Sequence, residues 1–121
     1  METTAAILAL AALAQGTRLD TFRLLVQHAP DGLAAGDIAR KLAVPPNTLS
    51  SHLSVLAEAG LVGSQRRGRS VVYRADLARL AAVMRFLVKD CCGGSAEICS
   101  PLLLELSSPQ PCGVEGPAGG A

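Results

Sequence analysis

Apolar residues recur along this chain at two different spacings. From Thr3 to Ala14 the sequence is rich in Ala and Leu, which predicts a first helix. Gly16 ends it. Leu19, Phe22, Leu25 and Val26 then recur at helical spacing, so residues 18–28 read as a second helix. Thr17 is its expected N-cap, with Asp20 three residues on as a capping-box partner. "APDG", residues 29–32, is a loop. "AGDIARKL", residues 35–42, predicts a short third helix with Ile38 and Leu42 facing inward. "AVPPN" is a turn, and Pro46 suits the first turn of a fourth helix, where its missing N–H does no harm. That helix should run to about Ala59, with Leu49, Leu53 and Leu56 on its buried face and Thr48, Ser50, Ser51 and Ser54 on its polar faces. Gly60 stops it. "LVGSQRRGRSVVYRA" breaks the helical period and reads as a two-stranded hairpin bending at Arg67-Gly68. A fifth helix is expected from about Asp76 to Lys89, carrying Leu77, Leu80, Ala81, Met84, Leu87 and Val88. "SPLLLELSS" adds a last helical turn or two, and the Pro/Gly-rich stretch from 108 onward is expected to be disordered.

Two short helices joined by a turn and followed by a basic hairpin make a winged helix-turn-helix. The expected fold is therefore mostly α with a small β-hairpin, in one domain over residues 1–107 with a tail at 108–121. Half of the residues are apolar, with no Trp, one Tyr and two Phe, so the core should be aliphatic and built from closely packed helices. A net charge of +1 identifies no partner, but its distribution is uneven. Residues 17–74 hold eight basic and four acidic residues, and "SQRRGRSVVYR" holds four Arg and no acid. In such an arrangement the polar face of the fourth helix enters the major groove of double-stranded DNA, and the Arg-rich hairpin pairs with backbone phosphates. The candidate contacts are Asn47, Thr48, Ser50, Ser51 and His52 on the helix, and Arg66, Arg67 and Arg69 on the wing. His52 has two readings of equal weight, a phosphate bond or a packing role inside the motif. The plainer alternative is a pair of packed helices with no DNA role, and the basic hairpin that follows directly argues against it.

Three of the four cysteines fall in "KDCCGGSAEIC", residues 89–99. The N-terminal "METTAAILALAALAQG" lacks a basic start, carries the acidic Glu2 and is too short to span a membrane, so a cytoplasmic, reducing location is expected. Cysteine in that setting points to metal or redox chemistry. Three thiolates without a His or carboxylate cluster select a soft, thiophilic ion. As(III) takes three sulfurs in a trigonal pyramid, and Cys91, Cys92 and Cys99 supply that number. Adjacent helical residues point about 100° apart, so Cys91 and Cys92 cannot converge on one ion within a regular helix. Gly93-Gly94 would let the chain fold back and bring Cys99 to the pair. The same thiols could instead form a redox switch. Cys112, in the tail, is read as a bystander. No C-x-x-C on a βαβ pattern, anion loop or paired base is present, so no enzyme activity is expected.

"TRLDTFRLL" and "DIARKLAVPPNTLSSHLSVLAEAGLVGSQRRGRSVVYR" resemble the ArsR/SmtB family of metal-responsive repressors, over roughly residues 15–92. The resemblance implies a homodimer through the first and fifth helices that binds a palindromic operator without metal and leaves it when metal binds. The sequence departs from the family in several places. Pro45 and Pro46 stand where the recognition helix of relatives begins with Ser-Gln, and Ser51 stands where an Arg often precedes the His. Ala34 and Gly36 occupy the positions of the third-helix Cys pair found in many relatives, and "DLARLAAVMRFLVKD" has none of the histidines of the zinc-sensing members. His28 and His52 fit no zinc-ligand pattern. "CCGG…E-x-C" resembles the C-terminal triple-Cys site of arsenite-responsive members. The expectation is a DNA-binding repressor released by As(III), with Sb(III) and methylarsenite as further candidate inducers, no organic cofactor and no membrane partner. A thiol-based redox repressor using the same cysteines is the alternative.

Overall fold

The computed structural model describes residues 1–90 together with Pro101, Leu104 and Glu105. The chain divides into two units, Met1–Phe86 and Leu87–Ala121. The first holds α1 (Thr3–Leu13), α2 (Gly16–Gln27), β1 (Leu33–Ala34), α3 (Ala35–Leu42), α4 (Pro46–Glu58), β2 (Val62–Arg67), β3 (Ser70–Ala75) and α5 (Leu77–Arg85). The fifth helix, expected to reach Lys89, is α-helical only to Arg85 and continues as a π-helical turn, Phe86–Asp90. No helix among the described residues is long and apolar enough to cross a membrane.

α1 turns its small residues inward. Ala6, Ala9 and Ala12 are buried, whereas Ile7 and Leu8 are 60% and 50% exposed. Side chains no larger than methyl let α1 lie close against α2, α4 and α5. α2 starts two residues before the position that a Thr17 cap predicts. The cap is Gln15, whose Oε1 accepts the Arg18 backbone N–H at 2.8 Å. Thr17 lies inside the first turn, and its carbonyl accepts the hydroxyl of the buried Thr21 at 2.7 Å. That bond satisfies the one polar side chain of the core among the described residues.

α3 and α4 keep the predicted faces. Ile38, Leu49, Leu53 and Leu56 are buried and join Phe22, Leu25, Leu61, Val62 and Val83 in one cluster. Full burial of a side chain of this size stabilises by about 1.5–3 kcal/mol relative to exposure. Pro45 precedes α4 as its cap and Pro46 occupies the first turn, with the Pro45 carbonyl accepting the Leu49 N–H at 2.9 Å. Gly60, at φ 78°, ends the helix. The Leu61 N–H reaches the Leu56 carbonyl and the Gly60 N–H reaches the Ala57 carbonyl, both at 3.0 Å. This is a Schellman closure, and it buries Leu61 beside the helix it terminates.

The sheet has three strands in the order β1-β3-β2, all antiparallel. The sequence predicts a bend at Arg67-Gly68. Instead Arg67 pairs with Ser70, so the two-residue loop is Gly68-Arg69. Gly68 has φ 61° at the first loop position, as a type II′ turn requires. β1, which the sequence does not suggest, places Leu33 opposite Tyr73 and Ala34 opposite Val72. It fixes the start of α3 against the inner strand of the wing.

Candidate nucleic-acid interface

The helix-turn-helix pair is α3, a turn through Ala43–Pro45, and α4. Leu49, Leu53 and Leu56 anchor one side of α4 in the core, which forces its other side outward. Asn47, Thr48, Ser50 and Ser51 are all exposed there. The Ser51 hydroxyl donates to the Asn47 carbonyl one turn back, at 3.4 Å. These short side chains keep the outer surface of α4 shallow, so a DNA groove could approach its backbone. Within α3, Arg40 is paired with Asp37, and both groups face solvent.

His52 differs from its neighbours. It is half-buried, and its Nδ1 lies 3.3 Å from Nη1 of Arg18. In the sequence Arg18 is only one more positive charge, yet in the fold it joins the candidate helix to two others. Its Nε also donates to the Ala12 carbonyl near the end of α1, at 2.7 Å. With Arg18 and His52 34 positions apart in the sequence, that contact has no local signal.

The four wing arginines divide into two kinds. Arg66, Arg67 and Arg69 are exposed at and beside the turn, and their side chains have no hydrogen-bond or ion-pair partner among the described residues. Arg74 is half-buried and occupied: its Nη2 donates to Oε1 of Gln65 on β2 at 2.9 Å, and its Nε to the Asp31 carbonyl at 3.4 Å. It braces the hairpin, while the other three present uncompensated charge.

Cys91, Cys92 and Cys99, and with them the expected metal site, lie outside the described residues, as do Cys112 and the tail from 108. Among the described residues no three His, Cys, Asp or Glu side chains are placed to hold a metal ion. Ala34 and Gly36, where relatives carry a Cys pair, fall in β1 and at the start of α3. Pro101, Leu104 and Glu105 are helical, as expected for that segment.

Fold and surface together define a winged helix-turn-helix protein. Residues 13–64 match the family described as a helix-turn-helix domain. The chain is 42% identical over 73 residues to the HTH-type transcriptional regulator Rv2034 of Mycobacterium tuberculosis, a match spanning 60% of this chain and 64% of that relative. One similar solved structure is the homodimeric winged helix-turn-helix DNA-binding domain of a possible ArsR-family regulator from Mycobacterium bovis. The two share 29% identity over 76% of this chain and 85% of that one, with a TM-score of 0.58. Another is a possible transcriptional regulator for arsenical resistance, at 27% identity over 80% of this chain and 94% of that one, with a TM-score of 0.59. The fold is thus that of ArsR-like transcriptional regulators, and the homologues are regulators rather than enzymes.

Proposed function

We propose that the protein is a homodimeric, DNA-binding transcriptional repressor that trivalent arsenic releases from its operator. The observation that carries the DNA-binding half is the pairing of an exposed polar face on α4 with three wing guanidiniums that no group among the described residues neutralises. Cations held apart from counter-charges are matched by phosphates, and short polar side chains on a protruding helix are matched by base edges. The dimer is supported by the exposed aliphatic residues of α1 and α5 and by the homodimeric M. bovis relative. The inducer reading rests on the sequence. Cys91, Cys92 and Cys99 are three soft donors, neither the third-helix Cys pair nor the fifth-helix histidines that the family resemblance would call for are present, and one similar structure belongs to a possible regulator of arsenical resistance.

An inducer shifts the protein off DNA only if it binds the low-affinity conformation more tightly than the high-affinity one. Drawing three thiols from beyond the fifth helix onto one arsenic would select one arrangement of that chain end. A change there that alters the spacing of two recognition helices would mismatch half-sites about 34–36 Å apart. The test is fluorescence anisotropy of a labelled duplex, selected by the wild-type protein from a random pool, against added As(III). Cys91→Ser, Cys92→Ser and Cys99→Ser should each bind the duplex and each lose or weaken arsenite release, with Cys112→Ser behaving as wild type. Zinc should be a poor inducer. Normal release from all three variants would sink the arsenic site. Release by peroxide, reversed by thiol and not reproduced by arsenite, would make the protein the redox repressor instead.

A further inference from the structure

The contact between Arg18 and His52 fixes more than a packing arrangement. A guanidinium carries only donors and does not lose its proton in proteins. Of the two groups that meet at 3.3 Å, Nδ1 of His52 must therefore be the acceptor. An imidazole that accepts at Nδ1 is neutral and carries its proton on Nε2. Arg18 has little freedom to release this hold. Its Nε is bonded to the Ala12 carbonyl at 2.7 Å, and its own backbone N–H is bonded to the Gln15 cap at 2.8 Å. The guanidinium is thus anchored on α1 and α2 and presented to α4.

The second ring nitrogen is left over. Nε2–H has no partner among the described residues, although the ring is half-buried. His52 follows Ser51 and lies one turn beyond Thr48, so it borders the exposed face of α4 assigned to DNA. Resting on that assignment, we propose that Arg18 is a positioning residue for DNA binding: it holds His52 as the Nε2–H tautomer, and Nε2–H donates to a phosphate oxygen of the DNA backbone. A phosphate suits this ring better than a base. A ring sunk into the flank of the helix has little reach into a groove, whereas phosphates line the groove's edges and take N–H donors of any kind. A charged acceptor also makes the bond strong enough to measure.

Two substitutions at one position separate the ring's two nitrogens. In His52→Asn the side-chain oxygen can still accept from Arg18, but no donor remains at the Nε2 place. In His52→Gln the amide N–H₂ reaches toward the Nε2 place, and the bond to Arg18 is lost. Affinity for the selected duplex and for an unrelated duplex is measured by anisotropy, with folding checked by urea titration. His52→Asn should lose about tenfold or more on both duplexes, as expected for a bond to a charged acceptor. His52→Gln should bind several-fold more tightly than His52→Asn. Arg18→Met should weaken binding when residue 52 is His, and have much less effect when it is Gln, because an amide has no tautomer to fix. Imidazole ¹⁵N shifts supply a readout independent of DNA: the wild type should show His52 with its proton on Nε2, and Arg18→Met a mixture of tautomers. An Nδ1–H tautomer in the wild type, or undiminished duplex binding by His52→Asn, would overturn the inference while leaving the DNA reading intact. If the wild type binds no duplex at all, the reading of α4 has failed first.

Discussion

Ala43 closes α3 in the left-handed region, at φ 55°, the one non-glycine residue with positive φ among those described. The Val44 N–H bonds across it to the Ala39 carbonyl at 3.0 Å, so the conformation is held by the turn between the two helices of the motif. A Cβ in that region costs about 1–2 kcal/mol. Glycine removes the cost but adds unfolded-state entropy worth about 0.4–1 kcal/mol. Because Ala43 is exposed, its methyl contributes little packing. Ala43→Gly should therefore stabilise the fold by about 0.5 kcal/mol, raising Tm by about 2–4 °C in a thermal melt. A lower Tm would mean that backbone entropy outweighs strain here. Nothing in the sequence marks Ala43, because Ala carries no preference for this region. The cap of α2 is illegible for a related reason. Thr17 has the right chemistry for a cap, but Gln15 is long enough to reach the Arg18 N–H from further back. Arg18 and His52 are each visible as residues, while their contact depends on how α1, α2 and α4 pack.

Among elements, the wing is the most legible. A run of Arg around a Gly, followed by the Val-Val-Tyr of the return strand, gives a hairpin with a basic tip from local chemistry alone. β1 is not legible, since two residues carry no periodicity and acquire strand character only by pairing with Tyr73 and Val72. The structure adds a division of labour among the wing arginines, and this can be tested. Arg67→Ala and Arg69→Ala should weaken selected and unrelated duplexes alike, and each should reduce the slope of log affinity against log salt by about one for every phosphate left unpaired. Arg74→Ala should act differently. Without its bonds to Gln65 and the Asp31 carbonyl the urea midpoint should fall, with the salt slope close to wild type. A change of sequence preference without a change of slope in Arg67→Ala would show that this side chain reads bases.

At the scale of the whole molecule, the distribution of apolar surface on α1 and α5 is the feature that a single copy does not explain. An isolated amphipathic helix would bury its large residues and expose its small ones, and α1 does the reverse. Its alanines serve close packing within the chain, and Ile7, Leu8 and Leu10 are exposed, as are Leu77 and Met84 of α5. Leu80 is less exposed than these residues. It is half-buried against the chain's own core and lines a groove of about 340 Å³ with Leu13, Leu19, Phe22, Arg23, Val26 and Gln27. The family resemblance implies an interface through the first and fifth helices, on which Leu8 and Leu80 are both apolar positions; the structure leaves Leu8 exposed and Leu80 half-buried, so substitutions at the two positions should part company. Leu8→Glu puts a charge on an exposed position, so the monomer should stay folded while association is lost, because a carboxylate buried at an interface without a partner is heavily penalised. It should sediment as a monomer, keep the wild-type circular dichroism, lose only the part of the urea midpoint that association contributes, and bind a two-half-site duplex far more weakly, since each recognition helix alone contributes only part of the affinity. Leu80→Glu should lower the urea midpoint further, and at every protein concentration, by driving a carboxylate toward the core. Analytical ultracentrifugation of both variants beside the wild type decides the matter: a wild type that is monomeric at micromolar concentration and binds the two-half-site duplex as tightly as it ever does would remove the dimer from the mechanism, and with it the account of release through helix spacing.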